Sequence, residues 1–456
     1  MRQATDVDLL LVAACASMAV WLGWAMVPAA LAVGAMRRRP AVTALCLAVA
    51  LAGAADGRHA WSHAVPRHLG GYAGRALVVS DPSAVRNGSR VTLEIAGERF
   101  DTFVTGGRFA VLTSAAAGDL AWMSGTRVPL GANRRRSQER HVVGRVRLDS
   151  VVEVTAGSAF ARAGNRVRRT VRRAGEVSMS ATDAALFTGL VLGDDGREPG
   201  WLVDDFRASG LSHLTAVSGQ NVAFVLAAAA PFLRRLRPWW RWAATVGLVG
   251  WFMALTRFEP SVLRAGVMAM LAATGFVLGR SASPVRLVAV AVVLLVLVDP
   301  MLVWTVGFWL SVGATLGVSG VSPWLASRLP GPTWLRTAVA VTLGAQVGVA
   351  LPSVLVFHRL PVVSVPANLV AVPVAGLVML GGLPAGILGG VSPVPVARVV
   401  MWPAAVGTRW VATVARLAAR LEPGVRWELV AWTGIIVVIA LLCSGGSRRT
   451  APDVPF

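Results

Sequence analysis

The chain has 456 residues, of which 55% are hydrophobic and only 15% charged, with a mean hydropathy of +0.63. That balance excludes an ordinary soluble enzyme of this length and calls for a polytopic α-helical membrane protein. All 44 basic residues are arginine, and the formal charge of +21 exceeds what loop arginines need to set orientation.

Apolar runs long enough to cross or nearly cross a bilayer occur at 9–36, 41–55, 214–233, 242–255, 262–278, 287–298, 301–318, 338–357, 362–388 and 429–442. They predict about ten transmembrane helices. The first run is too long for a signal-peptide core and lacks a basic leader, so it is read as retained, either as one tilted helix or as two short ones. Cys15, Cys46 and Cys443 fall inside apolar runs and read as small buried hydrophobes, with neither a disulfide framework nor a metal cage expected. Arginine groups at 37–39, 234–241, 280–286, 328–336 and 448–449 lie between or beyond the runs. If all are cytoplasmic, the crossings alternate provided that 362–388 is an out-in-out hairpin, and the C-terminus is inside.

Between the second and third runs the pattern changes. "RVTLEIAGERF" and "GRVRLDSVVEV" alternate apolar and polar residues with period two, as half-buried strands do. Several such strands predict an inserted small extracytoplasmic domain, an antiparallel barrel or sandwich of about five strands. Residues 56–180 hold 20 arginines against 10 acids. Arg145 and Arg147 lie on a predicted strand, and Arg162, Arg166, Arg169 and Arg173 form one face of the helix that follows. Those six are the candidate DNA-binding residues; for the helix face, anionic lipid head groups are an equal alternative. Tyr72, Phe100, Phe103 and Phe109 are available either to stack bases or to fill the strand core. Asp194, Asp195, Asp204 and Asp205 read as turn and capping residues rather than as a cation site.

The third run opens with "GLSHLTAVSGQNVAFVLAAAA". His213, Ser218, Gly219, Gln220 and Asn221 are polar or helix-breaking where an apolar helix begins. Polar groups at membrane depth face a protein-lined cavity or bond to another helix. Arg264, within "SVLRAGVMAMLAATG", is open to pore lining or to structural pairing. Gln346 and Asn368 carry the same ambiguity, and Pro366 and Pro373 around Asn368 suggest a broken helix. His213 and Ser218 do not make a hydrolase, because five residues on a helix put them on different faces and no G-x-S-x-G elbow is present.

"LFTGLVLGDDG", "FRASGLSHLTAVSGQNV", "EPSVLRAGVMAM", "DPMLVWTVGFWLSVGATLG" and "VSVPANLVAVP" resemble, in order, the competence-domain blocks of the bacterial DNA-internalisation channels of the ComEC type. The resemblance implies that the basic β-rich insert is the family's external OB-like β-barrel domain, and it implies passage of single-stranded DNA across the cytoplasmic membrane during natural transformation. It carries over Gly210, His213, Ser218, Gly219, Arg264, Gly307, Ser311 and Asn368; apart from Gly210, and with Gln220 and Asn221 added, these give the candidate DNA path. The family's first block commonly ends in a His where this chain has Asn221. An anionic lipid-linked or small-molecule transporter is the alternative.

Longer relatives carry a metallo-β-lactamase-like nuclease domain. The six histidines, His59, His63, His68, His141, His213 and His358, supply no H-x-H-x-D-H run, so no catalytic residue, metal or cofactor is expected. Without lysine there is no Walker loop either. Single-stranded DNA, membrane lipids, a separate DNA receptor, a separate nuclease and a cytoplasmic ATP-driven translocase are the expected partners. The expected division is 1–57, N-terminal crossings; 58–160, OB-like domain; 161–210, connecting helices; 211–445, competence channel domain; and 446–456, cytoplasmic tail.

Overall fold

Thr5 begins the first helix with a capping box, its hydroxyl accepting from the Asp8 amide while the Asp8 carboxylate accepts from the Thr5 amide. The computed structural model describes residues 5–437, apart from 86–87, 106, 132–133, 216–218, 281, 425–426, 429 and 436. Ser218, Cys443 and the tail 446–456 lie outside the described residues.

The N-terminal run is two helices, α1 (Asp6–Leu22) and α2 (Met26–Met36), separated where Gly23 takes φ +60°. Asp8 is buried and pairs with Arg37 at 2.8 Å and Arg39 at 2.7 Å, so the run folds back until its ends meet. Helix α3 (Pro40–Ser62) departs from that turn. Asp6 also binds Ser283 and, at 3.1 Å, Arg286. The arginine groups at 37–39 and 286 therefore share one face of the molecule.

The basic insert is a six-stranded sheet: β1 (Gly70–Val78), β2 (Ser83–Val85), β3 (Gly88–Ile95), β4 (Glu98–Val104), β5 (Leu120–Pro129) and β6 (Val142–Thr155), with short helices α4 (Ala110–Thr113) and α5 (Arg134–Gln138) between strands. The order is β1-β5-β6-β4-β3-β2, β4–β6 is parallel, and β1 also pairs with β3. The period-two pattern read from the sequence is the one the sheet uses. Val91, Leu93 and Ile95 are buried while Arg90 and Glu94 face away from the core. Phe100 is fully buried with them, Tyr72 and Phe109 pack against the same core, and Phe103 is exposed.

From the sheet, α6 (Ala159–Ser178), α7 (Ala181–Leu192), α8 (Gly200–Ala208) and α9 (Ser212–Thr215) lead to α10 (Gly219–Leu233), α11 (Pro238–Leu255), α12 (Pro260–Val277), α13 (Pro284–Val298), α14 (Val306–Ala326), α15 (Thr333–Phe357), α16 (Ser364–Val391) and α17 (Val394–Leu421). Proline in the first turn of α11, α12, α13 and α17 starts each helix without wasting a donor. The chain is a multi-pass membrane protein. Among the described residues six helical stretches are long and apolar enough to cross a bilayer, counting the folded-back α1–α2 pair as one: Asp6–Met36, Pro40–Ser62, Pro260–Val277, Val306–Ala326, Thr333–Phe357 and Ser364–Val391. Of the remaining predicted runs, α10 and α13 are shorter apolar helices of 15 residues, α11 is not among the six, and the last extends past the described residues.

The hairpin expected over 362–388 is not formed. Helix α16 runs unbroken for 28 residues through Pro373 and Pro384, roughly 42 Å, so the helix break expected near Asn368 is absent too. The return is made by α17, which packs along α16. The sequence hid it because Arg398, Arg409, Arg416 and Arg420 break up the linear apolar run, although in the helix all four line its exposed side. Arg409 pairs with Asp183 at 3.3 Å and Arg416 with Asp205 at 3.8 Å, so two of those charges serve the connecting helices.

Helices α14 and α15 cross at their closest along "GATLG" and "GAQVG". A Cβ on Gly317 would lie 2.0 Å from the Gly344 carbonyl oxygen, and one on Gly348 2.0 Å from that of Gly313. No side chain fits between the backbones, the small-xxx-small arrangement of membrane helix pairs. Gly317→Ala is expected to lower thermal stability by about 1–3 kcal/mol. Gly320→Ala, whose Cβ meets nothing within 4 Å, is expected to be neutral or mildly stabilising. Melting curves of both variants in one detergent check this.

Candidate functional site: a buried arginine and the vestibule above it

Arg264 sits on the first full turn of α12 and is only 5% exposed. Its Nε and one terminal nitrogen donate to the Ser311 hydroxyl on α14 at 3.0 and 2.5 Å, and the other terminal nitrogen lies 3.1 Å from the Met268 sulfur. Gly219, first residue of α10, closes the group: a Cβ there would lie 3.1 Å from the guanidinium and 2.9 Å from Ala265 Cβ. Three residues from three separate sequence blocks thus meet at one point. No carboxylate pairs with Arg264 among the described residues, and the expected neighbour Glu259 does not reach it. One hydroxyl and a thioether are weak compensation for a buried guanidinium.

The other predicted path residues are distributed around this cluster. Gly307 stands one turn before Ser311, exposed, with no atom within 4 Å of a Cβ built on it. Gln220 and His213 are exposed. Asn221 is buried and donates to the Leu190 carbonyl at 3.1 Å, tying α10 to α7. Gly210 takes φ +72° with Ser364 pressed against it, so both conformation and space demand glycine there. Ser364 is fully buried, accepts from the Gln346 amide and donates to the Pro361 carbonyl. Asn368, one turn further, holds a buried Oδ1 with no partner among the described residues.

A cavity of about 1260 Å³ lies between the sheet and the helix ends that carry Arg257, Glu259 and Asp299. Its wall mixes arginines (Arg67, Arg99, Arg140, Arg257) with acids (Glu94, Glu98, Glu139), so it is charged but not uniformly positive. The sheet is fixed over it by an ion cluster that the sequence reading missed. Asp81, after β1, binds Arg168 at 2.9 Å and Arg257 at 2.9 Å and accepts from the Ala117 amide at 2.9 Å. Arg168 also donates to the Leu192 and Leu255 carbonyls, Arg172 pairs with Asp194 at 2.5 Å, and Asn165 accepts from Arg257 at 2.7 Å. The signal lay in α6 itself. Asn165, Arg168 and Arg172 recur at spacings of three and four, on a flank of the helix about 100° round from the arginine stripe.

The stripe itself is solvent-facing: Arg162, Arg166, Arg169 and Arg173 are all exposed, with Arg162 also donating to the Gly157 carbonyl at 2.6 Å. On β6, Arg147 is exposed and half-buried Arg145 lies 5.2 Å over the Phe103 ring. The four aspartates do not converge. Asp204 pairs with Arg207, Asp205 with Arg416 and Asp194 with Arg172.

Glu198, between α7 and α8, has both carboxylate oxygens buried without a partner among the described residues, one of them filling the space that Gly189 leaves open. Burial, and then Asp195 and Asp194, push its carboxyl up to about 8. The unfolded chain releases this proton near the ordinary value of about 4.3, so stability falls as pH rises from there through the raised value. Glu198→Gln is expected to abolish that decline, as measured by melting temperatures from pH 5 to 9.

A family model described as "Competence protein" matches residues 190–451, more than half of the chain. The chain belongs to the competence protein family. The convergence of Gly219, Arg264 and Ser311 lies inside the matched span. Among curated proteins, the chain is 27% identical over 210 residues to the uncharacterized protein YcaI of Escherichia coli K12, covering 41% of this chain and 27% of that protein. It is 28% identical over 202 residues to ComE operon protein 3 of Bacillus subtilis 168, covering 44% and 26%. The alignments thus span about a quarter of either relative. No solved structure matches the chain.

Proposed function

We propose that this competence-family protein takes part in DNA uptake as a non-enzymatic channel, passing single-stranded DNA across the cytoplasmic membrane. The observation that carries the reading is Arg264: a buried cation on a membrane-capable helix, held by one hydroxyl and no carboxylate, beside a glycine helix start. A strand with one negative charge per nucleotide needs fixed positive charge where water is scarce. Gln220, His213, Gly307 and Asn368 are read as flanking positions of the same path, and Ser218 with them.

The sheet is read as an OB-like barrel. The circuit β1–β5–β6–β4–β3–β1 with one parallel pair supports this, being the pairing of a small Greek-key barrel. Its external placement is supported by the shared face of the arginine groups at 37–39 and 286, opposite the helix ends on which the sheet rests. By the same rule the N-terminus and the C-terminal tail are cytoplasmic. The division at 57, 160, 210 and 445 is kept as part of the proposal; 210 falls between α8 and α9, whereas 57 and 160 fall inside α3 and α6, and 445 lies outside the described residues. Arg145, Arg147 and the α6 stripe are the proposed DNA contacts, and receptor, nuclease and ATP-driven translocase are separate proteins.

The test is binding of labelled single-stranded DNA to the full chain in nanodiscs of neutral lipid, followed across salt. Neutralising four stripe arginines to Gln is expected to weaken binding at low salt and to flatten the salt dependence by about three units of slope. An unchanged slope would remove the stripe from the proposal.

A further inference from the structure

At the face carrying Arg37–Arg39, helices α10, α11 and α12 enclose a second cavity of about 310 Å³, at the lower end of ligand-pocket sizes. Its depth is apolar, with Leu226, Ala230, Ala269 and Ala273 on the walls, and Arg234 and Arg241 stand at its mouth. Arg241 is held 4.9 Å over the Phe276 ring, and Trp242 donates to Thr274 at 3.0 Å, so two of the walls are braced.

We infer that this cavity is a binding site for an anionic phospholipid, its phosphate between Arg234 and Arg241 and the start of one acyl chain along the alanine wall. Three observations favour this occupant. No acid lines the cavity, and neither arginine makes an ion pair among the described residues, so a positive charge waits for an anion. Helix α11 begins at Pro238 on the cavity wall with no side-chain cap, which turns its free amides toward the same mouth. The carbonyl ends of α10 and α12 at this level oppose an anion, but their partial charges are smaller than two whole guanidinium charges. Finally, Phe232, Trp239, Trp240 and Phe276 around the opening are 60–70% exposed, the aromatic signature of head-group depth.

The occupant is read out by native mass spectrometry of the full chain in neutral detergent, with phosphatidylglycerol, phosphatidylcholine and a thymidine oligonucleotide as probes. Phosphatidylglycerol is expected to be retained and phosphatidylcholine lost. Arg234→Gln with Arg241→Gln should weaken phosphatidylglycerol about 30-fold, whereas Arg235→Gln with Arg237→Gln, the same charge loss outside the cavity, should change it less than about threefold. Ala273→Trp, which fills the cavity and leaves every arginine in place, should also abolish retention. Equal retention of the two lipids, equal effects of the two arginine pairs, or full retention by Ala273→Trp would each overturn the site. Displacement of the lipid by the oligonucleotide through Arg234 and Arg241 would replace it with a nucleic-acid contact. None of these outcomes depends on the channel reading.

Discussion

Replacing Arg264 by alanine is expected to abolish entry of labelled DNA in a competent strain that relies on this chain, while the protein still reaches the membrane. A unit charge about 4 Å from a phosphate, at an effective dielectric near 20, is worth about 4 kcal/mol, or roughly a thousandfold in passage rate. Arg264→Lys keeps the charge but loses the fork that holds Ser311, so partial uptake is expected. Ser311→Ala removes a hydrogen bond to a charged group, about 1.5–3 kcal/mol in positioning, and is expected to impair uptake less. The ranking wild type, Ser311→Ala, Arg264→Lys, Arg264→Ala separates a path residue from a packing residue. If Arg264 merely braced α12 against α14, removing either partner would act alike and the melting temperature would fall in step.

The largest effect on stability is expected at Arg168. Its side chain is 5% exposed and serves Asp81, Asp194 and two backbone carbonyls on different elements. Arg168→Ala removes the buried cation that these groups share, leaving two buried carbonyls without their donor and Asp81 with Arg257 as its one remaining arginine, at up to about 3–5 kcal/mol. Asp81→Ala should cost a comparable amount, and the double variant less than the sum, because each single change leaves the other's partner uncompensated. Burial works to raise the Asp81 carboxyl, but Arg168 and Arg257 overcome it and leave it below the ordinary range. Its contribution is therefore present above the unfolded value of about 3.9 and lost as pH falls through the depressed one. Melting curves of wild type and Asp81→Ala should converge only in acid. Because the cluster joins the sheet to α6 and to the α11–α12 turn, protease sensitivity of residues 70–155 should rise in the same variants.

What could be read from the sequence follows from how each feature is encoded. Helix α15 is a continuous apolar run and β3 is a period-two pattern; both are local, and both were legible, whereas the run that forms α16 was visible as apolar but was read as a hairpin because of its prolines and the alternation of crossings. Helix α17 was not, because its arginines are matched by Asp183 and Asp205 more than two hundred positions away. The fold-back of α1 and α2 was left open by hydropathy and was decided by Asp8, whose arginine partners lie about thirty residues downstream. At the candidate site, residue types were legible and neighbours were not. Arg264 was visible as an anomaly in an apolar helix, whereas its partner Ser311 and its lid Gly219 are known only from packing. Asn221 shows the opposite limit: a polar residue at a helix entry reads as pore lining, yet it is buried and bonded to Leu190.

The central claim is that DNA passes the Arg264 cluster, and cross-linking of a stalled strand tests it most directly. A photoreactive amino acid placed at Ser311, and separately at the exposed bilayer-depth position Leu351, would be illuminated while tethered DNA is held in transit. Adducts at 311 and none at 351 are the expected result. Equal labelling at both positions, or labelling at 351 alone, would contradict it.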